Sequence, residues 1–253
     1  MFNSGNPALQ YDRFRSEAVN YGGAAVMTVQ GAIVKSAILT SLLLAAGGVG
    51  FVVANPVHGS LEAPARFGLM IGSAIGALIC AIILMFSQKA APILAPIYAV
   101  LEGVFIGAIS GIYAELWNGI ILQAALLTVG IMVAMFIAYS SGLIRATPFV
   151  TKAIVIATAG VCLVYFATFI LRLLGVQEVN YLHSGGTIGI AFSLIVVGIA
   201  SFNFILDFAL IERGAQARAP KYMEWYAAYG LLVTIVWLYL EILRLLAKLR
   251  SND

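Results

Sequence analysis

The stretch "FGLMIGSAIGALICAIILMFSQ", residues 67–88, contains 22 residues and no formal charge. A helix of that length rises about 33 Å, enough to cross the hydrocarbon core of a bilayer. The rest of the chain has the same character, because 62% of its 253 residues are hydrophobic and only 10% are charged. The sequence therefore predicts an integral membrane protein whose main partner is the lipid bilayer.

Six more stretches are long and apolar enough to cross. They are residues 36–57, 90–114, a segment within 116–144, 153–171, about 186–211 and about 222–249. Helices are expected rather than barrel strands, because hydrocarbon leaves no partner for unpaired backbone groups and the stretches do not alternate in polarity. The predicted fold is all-α and polytopic, with seven transmembrane helices.

The domain organisation is expected to be simple. Residues 1–32 contain four charged residues and no apolar core, so they predict a retained, polar, cytoplasmic arm rather than a cleaved signal peptide. Residues 33–253 are expected to form one transmembrane domain. No repeat of fixed period and no low-complexity tract suggests a second one.

Lysine and arginine predict the orientation. With the N-terminus in the cytoplasm, nine of the fourteen bases fall on the inner side. Arg244, Lys248 and Arg250 conflict with this assignment, because seven full crossings place them outside. A re-entrant last helix removes the conflict, so an arrangement of six crossings plus one re-entrant helix stays open beside seven. Seven is favoured, since the last stretch of about 28 residues is long enough to span even when tilted.

Two spans carry glycine at every fourth position. Span two has Gly68, Gly72 and Gly76, and span three has Gly103, Gly107 and Gly111. Such smooth stripes let helices approach closely in lipid, so ordinary helix packing is the favoured interpretation. The alternative is that the two stripes close around a narrow pore.

Acidic residues within the spans are the strongest functional signal, since an ionised group in hydrocarbon is costly and usually faces a pathway or switch. Glu102 lies near the middle of span three, and Asp207 lies near the inner end of span six. Glu241 lies in the outer third of span seven, where Arg244 is its candidate ion-pair partner. Glu224 is expected at the inner interface. Asp207, Glu102 and Glu241 would form a ladder of acids, which suggests a cation route.

Other classes of site have little support. The chain contains no G-x-S-x-G or H-E-x-x-H motif, so we expect no enzyme activity. His58 and His183 fall in predicted outer loops, and Cys80 and Cys162 fall within spans, which favours loop and packing roles over a metal site or a disulfide. The bases are too dispersed for nucleic-acid binding. Oxygen ligands are too few for a tight calcium cage, so no cofactor is expected beyond weak calcium binding.

Five segments resemble one family, in the order in which that family has them. They are residues 4–9 "SGNPAL", 27–40 "MTVQGAIVKSAILT", 101–115 "LEGVFIGAISGIYAE", 202–214 "FNFILDFALIERG" and 219–246 "APKYMEWYAAYGLLVTIVWLYLEILRLL". They resemble the bacterial branch of the Bax inhibitor and YccA-like family, also known by its transmembrane Bax inhibitor motif. The resemblance implies seven helices with the last one central, a bacterial inner-membrane location and a pH-sensitive calcium leak.

The same resemblance implies a proton switch made of two aspartates, one on span six and one on the last span. Asp207 matches the first. Aligning the last span on its "ILRLL" run and counting ten residues back from Arg244 places Thr234 at the second position. Two nearby carboxylates titrate as a coupled pair, whereas an aspartate beside a threonine titrates alone. We therefore predict a weaker or displaced pH response in this chain.

Together, the acids in the spans and the family resemblance imply a calcium leak channel modulated by protonation of intramembrane carboxylates. Asp207 and Thr234 are the candidate proton sensor, Glu102 and Glu241 the candidate cation pathway, and calcium ions and protons the transported or sensed species. The alternative, also implied by the resemblance, is a non-conducting regulator that binds and restrains a membrane-anchored quality-control protease. The polar N-terminal arm would serve that role.

Overall fold

The computed structural model describes residues 26–54, 61–175 and 185–251. These residues form seven long α-helices, a short 3-10 helix over Gln88–Ala90 and an isolated bridge between Val26 and Pro220. The helices are α1 (Val29–Ala54), α2 (Ala63–Phe86), α3 (Ala91–Leu116), α4 (Ile120–Ser140), α5 (Pro148–Leu173), α6 (Thr187–Gln216) and α7 (Met223–Arg250). Each of the seven predicted spans overlaps one helix that is long and apolar enough to cross a membrane, which confirms the predicted fold class.

Local sequence signals account for several helix ends. Helix α5 begins at Pro148, which needs no hydrogen-bond acceptor at the first helical position, and the Thr147 hydroxyl accepts a hydrogen bond from Val150 N at 3.3 Å. Gly119, Gly142 and Gly175 have φ angles of 75°, 77° and 81° at helix ends. Residues with a side chain rarely adopt this left-handed backbone conformation, whereas glycine adopts it readily. Glycine therefore suits these turns.

The chain divides into two compact units. One contains residues 1–118 and 209–233, and the other contains residues 119–208 and 234–253. Helix α6 and helix α7 therefore each contribute to both. The prediction of one domain over residues 33–253 stays a prediction.

Glycine brings the backbones of α1 and α3 together in the first unit. A Cβ atom on Gly107 would overlap the carbonyl of Gly47, and one on Gly103 would overlap the carbonyl of Leu43. The stripe of α3 therefore packs against α1, as the packing interpretation requires. The alternative, in which the stripes let spans two and three close around a narrow pore, stays a prediction.

The glycine stripe of α2, unlike that of α3, has few close neighbours. A Cβ atom on Gly68 or Gly72 would meet no atom within 4 Å, and one on Gly76 would meet the Leu101 side chain at 3.0 Å. Most of this predicted packing stripe is therefore open within the described part of the chain.

The last helix is the most buried of the seven. Among the 18 most apolar consecutive residues of α7, 56% are buried. The corresponding share is 17% in α4 and in α5. Helix α7 runs without interruption for 28 residues, which corresponds to about 42 Å. This length supports a full crossing rather than a re-entrant helix, and the central position that the resemblance implies for this helix stays a prediction.

Candidate functional site

Four carboxylic acids predicted from the sequence lie on three helices. Glu102 is on α3, Asp207 is on α6, and Glu224 and Glu241 are on α7. Their surroundings divide them into two classes. Glu224 and Glu241 are paired with basic side chains, whereas Asp207 and Glu102 are not paired with any basic side chain in the described ranges.

Glu241 is held on both oxygens. The Tyr165 hydroxyl lies 2.8 Å from Oε1 and 2.9 Å from Oε2, and Arg244 Nη1 lies 2.9 and 3.0 Å from the same two atoms. Trp237 Nε1 donates a third hydrogen bond, 3.2 Å long, to Oε1. The structure therefore forms the ion pair that the spacing of Glu241 and Arg244 predicts, and it adds two donors. Charge-assisted contacts of this kind fix a carboxylate in place.

Lys248 is a buried base that the sequence interpretation did not single out. Its side chain donates to Gly189 O at 2.9 Å and to Ser193 Oγ at 2.8 Å, both on α6. Arg250 donates to Gln123 Oε1 on α4 at 2.8 Å. The basic end of α7 is therefore hydrogen-bonded to α6 and α4. In the sequence, the cluster of bases near the C-terminus was the one sign that these residues have a special role.

Glu224 is the centre of a second ion cluster, in the first unit. Its side chain is fully buried within the protein, and its expected position at the inner interface stays a prediction. Lys35 Nζ lies 2.8 Å from Oε2, and Lys221 Nζ lies 2.8 Å from Oε1. Thr28 donates to Oε1 from its backbone nitrogen at 2.9 Å and from its hydroxyl at 3.0 Å. We call these four residues, Thr28, Lys35, Lys221 and Glu224, the clasp.

The clasp completes the start of helix α1. Thr28 precedes the first helical residue, and its hydroxyl accepts a hydrogen bond from Gly31 N at 2.9 Å. In a local capping box, a Glu or Gln at the position of Gly31 would reach back to the Thr28 N–H. Here Glu224 makes that bond from α7, and a side chain at Gly31 would overlap its carboxylate. The neighbouring backbone is also held, since Met27 N donates to Ala219 O at 2.7 Å.

Asp207 and Thr234 face each other across α6 and α7. The two side chains are hydrogen-bonded, and Asp207 is only 5% exposed. The other carboxyl oxygen, Oδ2, is buried and has no hydrogen-bond partner among residues 26–54, 61–175 and 185–251. The structure therefore brings together the two residues that the resemblance paired.

Aromatic residues lie on the same stretch of α6 as Asp207. The Phe208 ring stacks on Phe204 with centroids 6.0 Å apart and packs edge-on against Phe136 at 5.6 Å. One turn before Asp207, Asn203 donates to Thr158 Oγ1 at 2.9 Å. A buried carboxyl oxygen without a partner is unfavourable while it is charged, so the site suits a proton, a cation or a water molecule.

Glu102 is half-buried on α3. It lies within electrostatic range of Tyr98 and Tyr229, whose rings meet edge-on with centroids 4.9 Å apart. Its carboxyl group makes no hydrogen bond to any residue that the structure describes. It is therefore the second acid in the spans without a fixed partner.

The remaining predicted groups do not assemble into a site. No cluster of three His, Cys, Asp or Glu side chains suitable for a metal ion occurs within the described ranges. Cys80 is buried and Cys162 is exposed, and both are free thiols. His58, His183 and residues 1–25 lie outside the described residues, so predictions about them stay predictions.

The comparisons with known proteins decide the family. The model of a family described as "Bax inhibitor 1 like" matches residues 6–251, which include all seven helices. The chain belongs to this family. No curated protein matches the chain closely enough to add a relative.

Membership in the Bax inhibitor 1-like family confirms the resemblance inferred from the five quoted segments. With the seven helices, it makes this chain a multi-pass membrane protein. The bacterial branch, the bacterial inner membrane and the cytoplasmic N-terminus stay predictions, as do the roles of the acids.

Proposed function

We propose that this Bax inhibitor 1-like protein is a membrane calcium leak whose flux is modulated by protonation of Asp207. One observation carries the proposal. Asp207 is buried, one of its oxygens has no partner, and no base in the described part of the chain neutralises it. Such a group is stable only while it holds a proton or interacts with a cation or water, so its state depends on pH and on ion occupancy.

Glu102 is the second acid assigned to the pathway. It shares the lack of a basic partner and remains half-buried. Its setting supports a weak, hydrated contact with a passing cation, loose enough to allow release.

Glu241 is better assigned to structure than to the pathway. Its two oxygens already accept hydrogen bonds from Tyr165, Arg244 and Trp237. A passing cation would have to replace these donors and would meet the positive charge of Arg244. The candidates for cation contact are therefore Asp207 and Glu102, one in each unit.

The test is calcium uptake into liposomes that contain the purified protein, measured from about pH 5 to about pH 8. Wild type is expected to show uptake that changes with pH. Asp207→Asn is expected to lose most of the pH dependence, and Glu102→Gln is expected to reduce uptake severalfold. Glu115→Gln is the matched control, because it makes the same substitution on the same helix at an exposed residue. Uptake equal to that of empty liposomes for every protein and pH would refute the leak.

A regulator of a membrane protease is the second candidate function, and one structural contact favours it. Met27 is hydrogen-bonded to Ala219, and Val26 is bridged to Pro220. This contact fixes the point at which residues 1–25 join the described chain, close to the loop before α7.

Removing residues 1–25 tests this candidate while keeping the clasp. The regulator hypothesis predicts that truncation abolishes restraint of a membrane-anchored quality-control protease in membranes containing both proteins, while the melting temperature stays unchanged. Unaltered restraint after truncation would reject a role for the arm.

A further inference from the structure

The clasp carries more positive than negative charge. Two lysines, Lys35 and Lys221, share the single carboxylate of Glu224, which leaves one unit of positive charge. Arg218, three residues before Lys221, is exposed and adds another base on the same loop. An anion that contacts both lysines would balance this charge through charge-assisted hydrogen bonds.

The cluster also lies where a span ends. Glu224 is in the first turn of α7, and Lys35 lies about two turns into α1. The Lys35 amine nevertheless reaches Glu224, so its aliphatic stem runs along the span towards the helix end. This is the arrangement by which lysine reaches the headgroup region of a bilayer.

Exposure and aromatic packing support access from the lipid. The Lys221 side chain is 47% exposed and the Lys35 side chain is 20% exposed. Lys35 Nζ also lies 5.9 Å from the centre of the Trp225 ring, and Trp225 is half-buried. Tryptophan is enriched at the membrane–water interface, and basic pockets between spans bind anionic headgroups.

We propose that the clasp, together with Trp225 and Arg218, binds the phosphodiester headgroup of an anionic phospholipid. A phosphodiester carries one negative charge, which balances the excess charge of two lysines and one carboxylate. Each lysine ammonium has three N–H donors, so a contact with Glu224 leaves capacity for a phosphate oxygen. This site differs from the Asp207 site, and the proposal does not depend on calcium flux.

The test uses fluorescence quenching by brominated lipid. Full-length protein is placed in phosphatidylcholine vesicles that contain a small, equal fraction of either brominated phosphatidylglycerol or brominated phosphatidylcholine. The signal of Trp225 is obtained by comparing wild type with Trp225→Phe. We expect the phosphatidylglycerol probe to quench Trp225 severalfold more strongly than the neutral probe.

Substitutions then assign the preference to the clasp. Lys221→Gln is expected to lower the ratio of anionic to neutral quenching about fivefold, the effect of one basic residue near an anionic lipid. Lys221→Arg is expected to keep the ratio and so separates loss of charge from misfolding. Lys152→Gln, an equal charge change at an exposed base on α5, is expected to leave the ratio unchanged.

Any one of three other outcomes would overturn the proposal. Equal quenching by both probes in wild type would show that no anionic lipid is selected. An equal loss in Lys152→Gln and Lys221→Gln would assign the preference to general surface charge. Loss of the preference when inorganic phosphate is added at constant ionic strength would assign the site to soluble phosphate instead of lipid.

Discussion

The Tyr165 hydroxyl lies 2.8 Å from Oε1 and 2.9 Å from Oε2 of Glu241, so a single donor on α5 faces both oxygens of a carboxylate on α7. Arg244 contacts the same two oxygens and lies 5.3 Å from the centre of the Tyr165 ring. This triangle connects two helices in the second unit through one buried acid.

Glu241→Gln should therefore affect stability and leave ion movement unchanged. Loss of the charge weakens the contacts with Arg244 and Tyr165, for which we expect about 1–3 kcal/mol of destabilisation. Thermal unfolding of the purified protein would measure this loss. Calcium uptake per folded molecule should match wild type, in contrast to Glu102→Gln. Normal stability with altered uptake would return Glu241 to the cation route.

Thr234→Asp should broaden the pH response. The substitution places a second carboxyl group beside Asp207, and two interacting acids lose their protons in two steps at different pH. Calcium uptake is therefore expected to change over a wider pH range than in wild type. Thr234→Asn has a similar size and no acid, so it should keep the single transition of wild type. Identical pH profiles in both variants would show that the position does not sense protons together with Asp207.

Gly31→Ala should destabilise the protein because the new methyl group overlaps the Glu224 carboxylate. Overpacking of this kind typically costs about 1–3 kcal/mol. Gly72→Ala is the matched control, since its methyl group would meet no atom within 4 Å in a helix of the same unit. Differential scanning fluorimetry should show a lower melting temperature for Gly31→Ala alone.

A double substitution shows whether the Gly31 effect acts through the clasp. In a Glu224→Ala background the carboxylate is absent, so adding Gly31→Ala should cost much less than it does in wild type. Additive losses would mean that the methyl group acts somewhere else.

Gly107→Ala should separate α1 from α3. Its methyl group would overlap the Gly47 carbonyl, and backbone can move aside less readily than a flexible side chain. We expect a loss of about 2 kcal/mol or more, measured by thermal unfolding. Gly130→Ala, whose methyl group meets open space in α4, should be neutral or slightly stabilising. A similar loss in both variants would contradict the assigned packing.

The positions of the spans were predictable because long uncharged stretches determine them, but some ends were not. The first span was expected from residue 36, whereas α1 begins at Val29. The uncharged stretch stops at Lys35, but lysine is compatible with a helix, and its amine contacts Glu224, a partner 189 positions away in sequence. Hydropathy reports the chain locally and contains no information on such a partner.

In the candidate site, too, some contacts could be predicted from the sequence and others could not. The pairing of Glu241 with Arg244 followed from their spacing on one helix, and the pairing of Asp207 with Thr234 followed from the family resemblance. The contacts of Tyr165 with Glu241 and of Ser193 with Lys248 join different helices. A single sequence has no periodicity that would reveal them. The separation of paired from unpaired acids, on which the proposed function rests, therefore required the structure.

The bond between Thr28 and Glu224 also constrains the order in which the protein can be completed. These residues are 196 positions apart, and the acceptor for the first span lies on the last one. During synthesis, α1 is made long before Glu224. The backbone N–H of Thr28 therefore lacks this carboxylate as an acceptor until nearly the whole polypeptide has been made. A nascent chain stalled before residue 224 therefore exposes an unfinished first helix to whatever quality-control machinery inspects it.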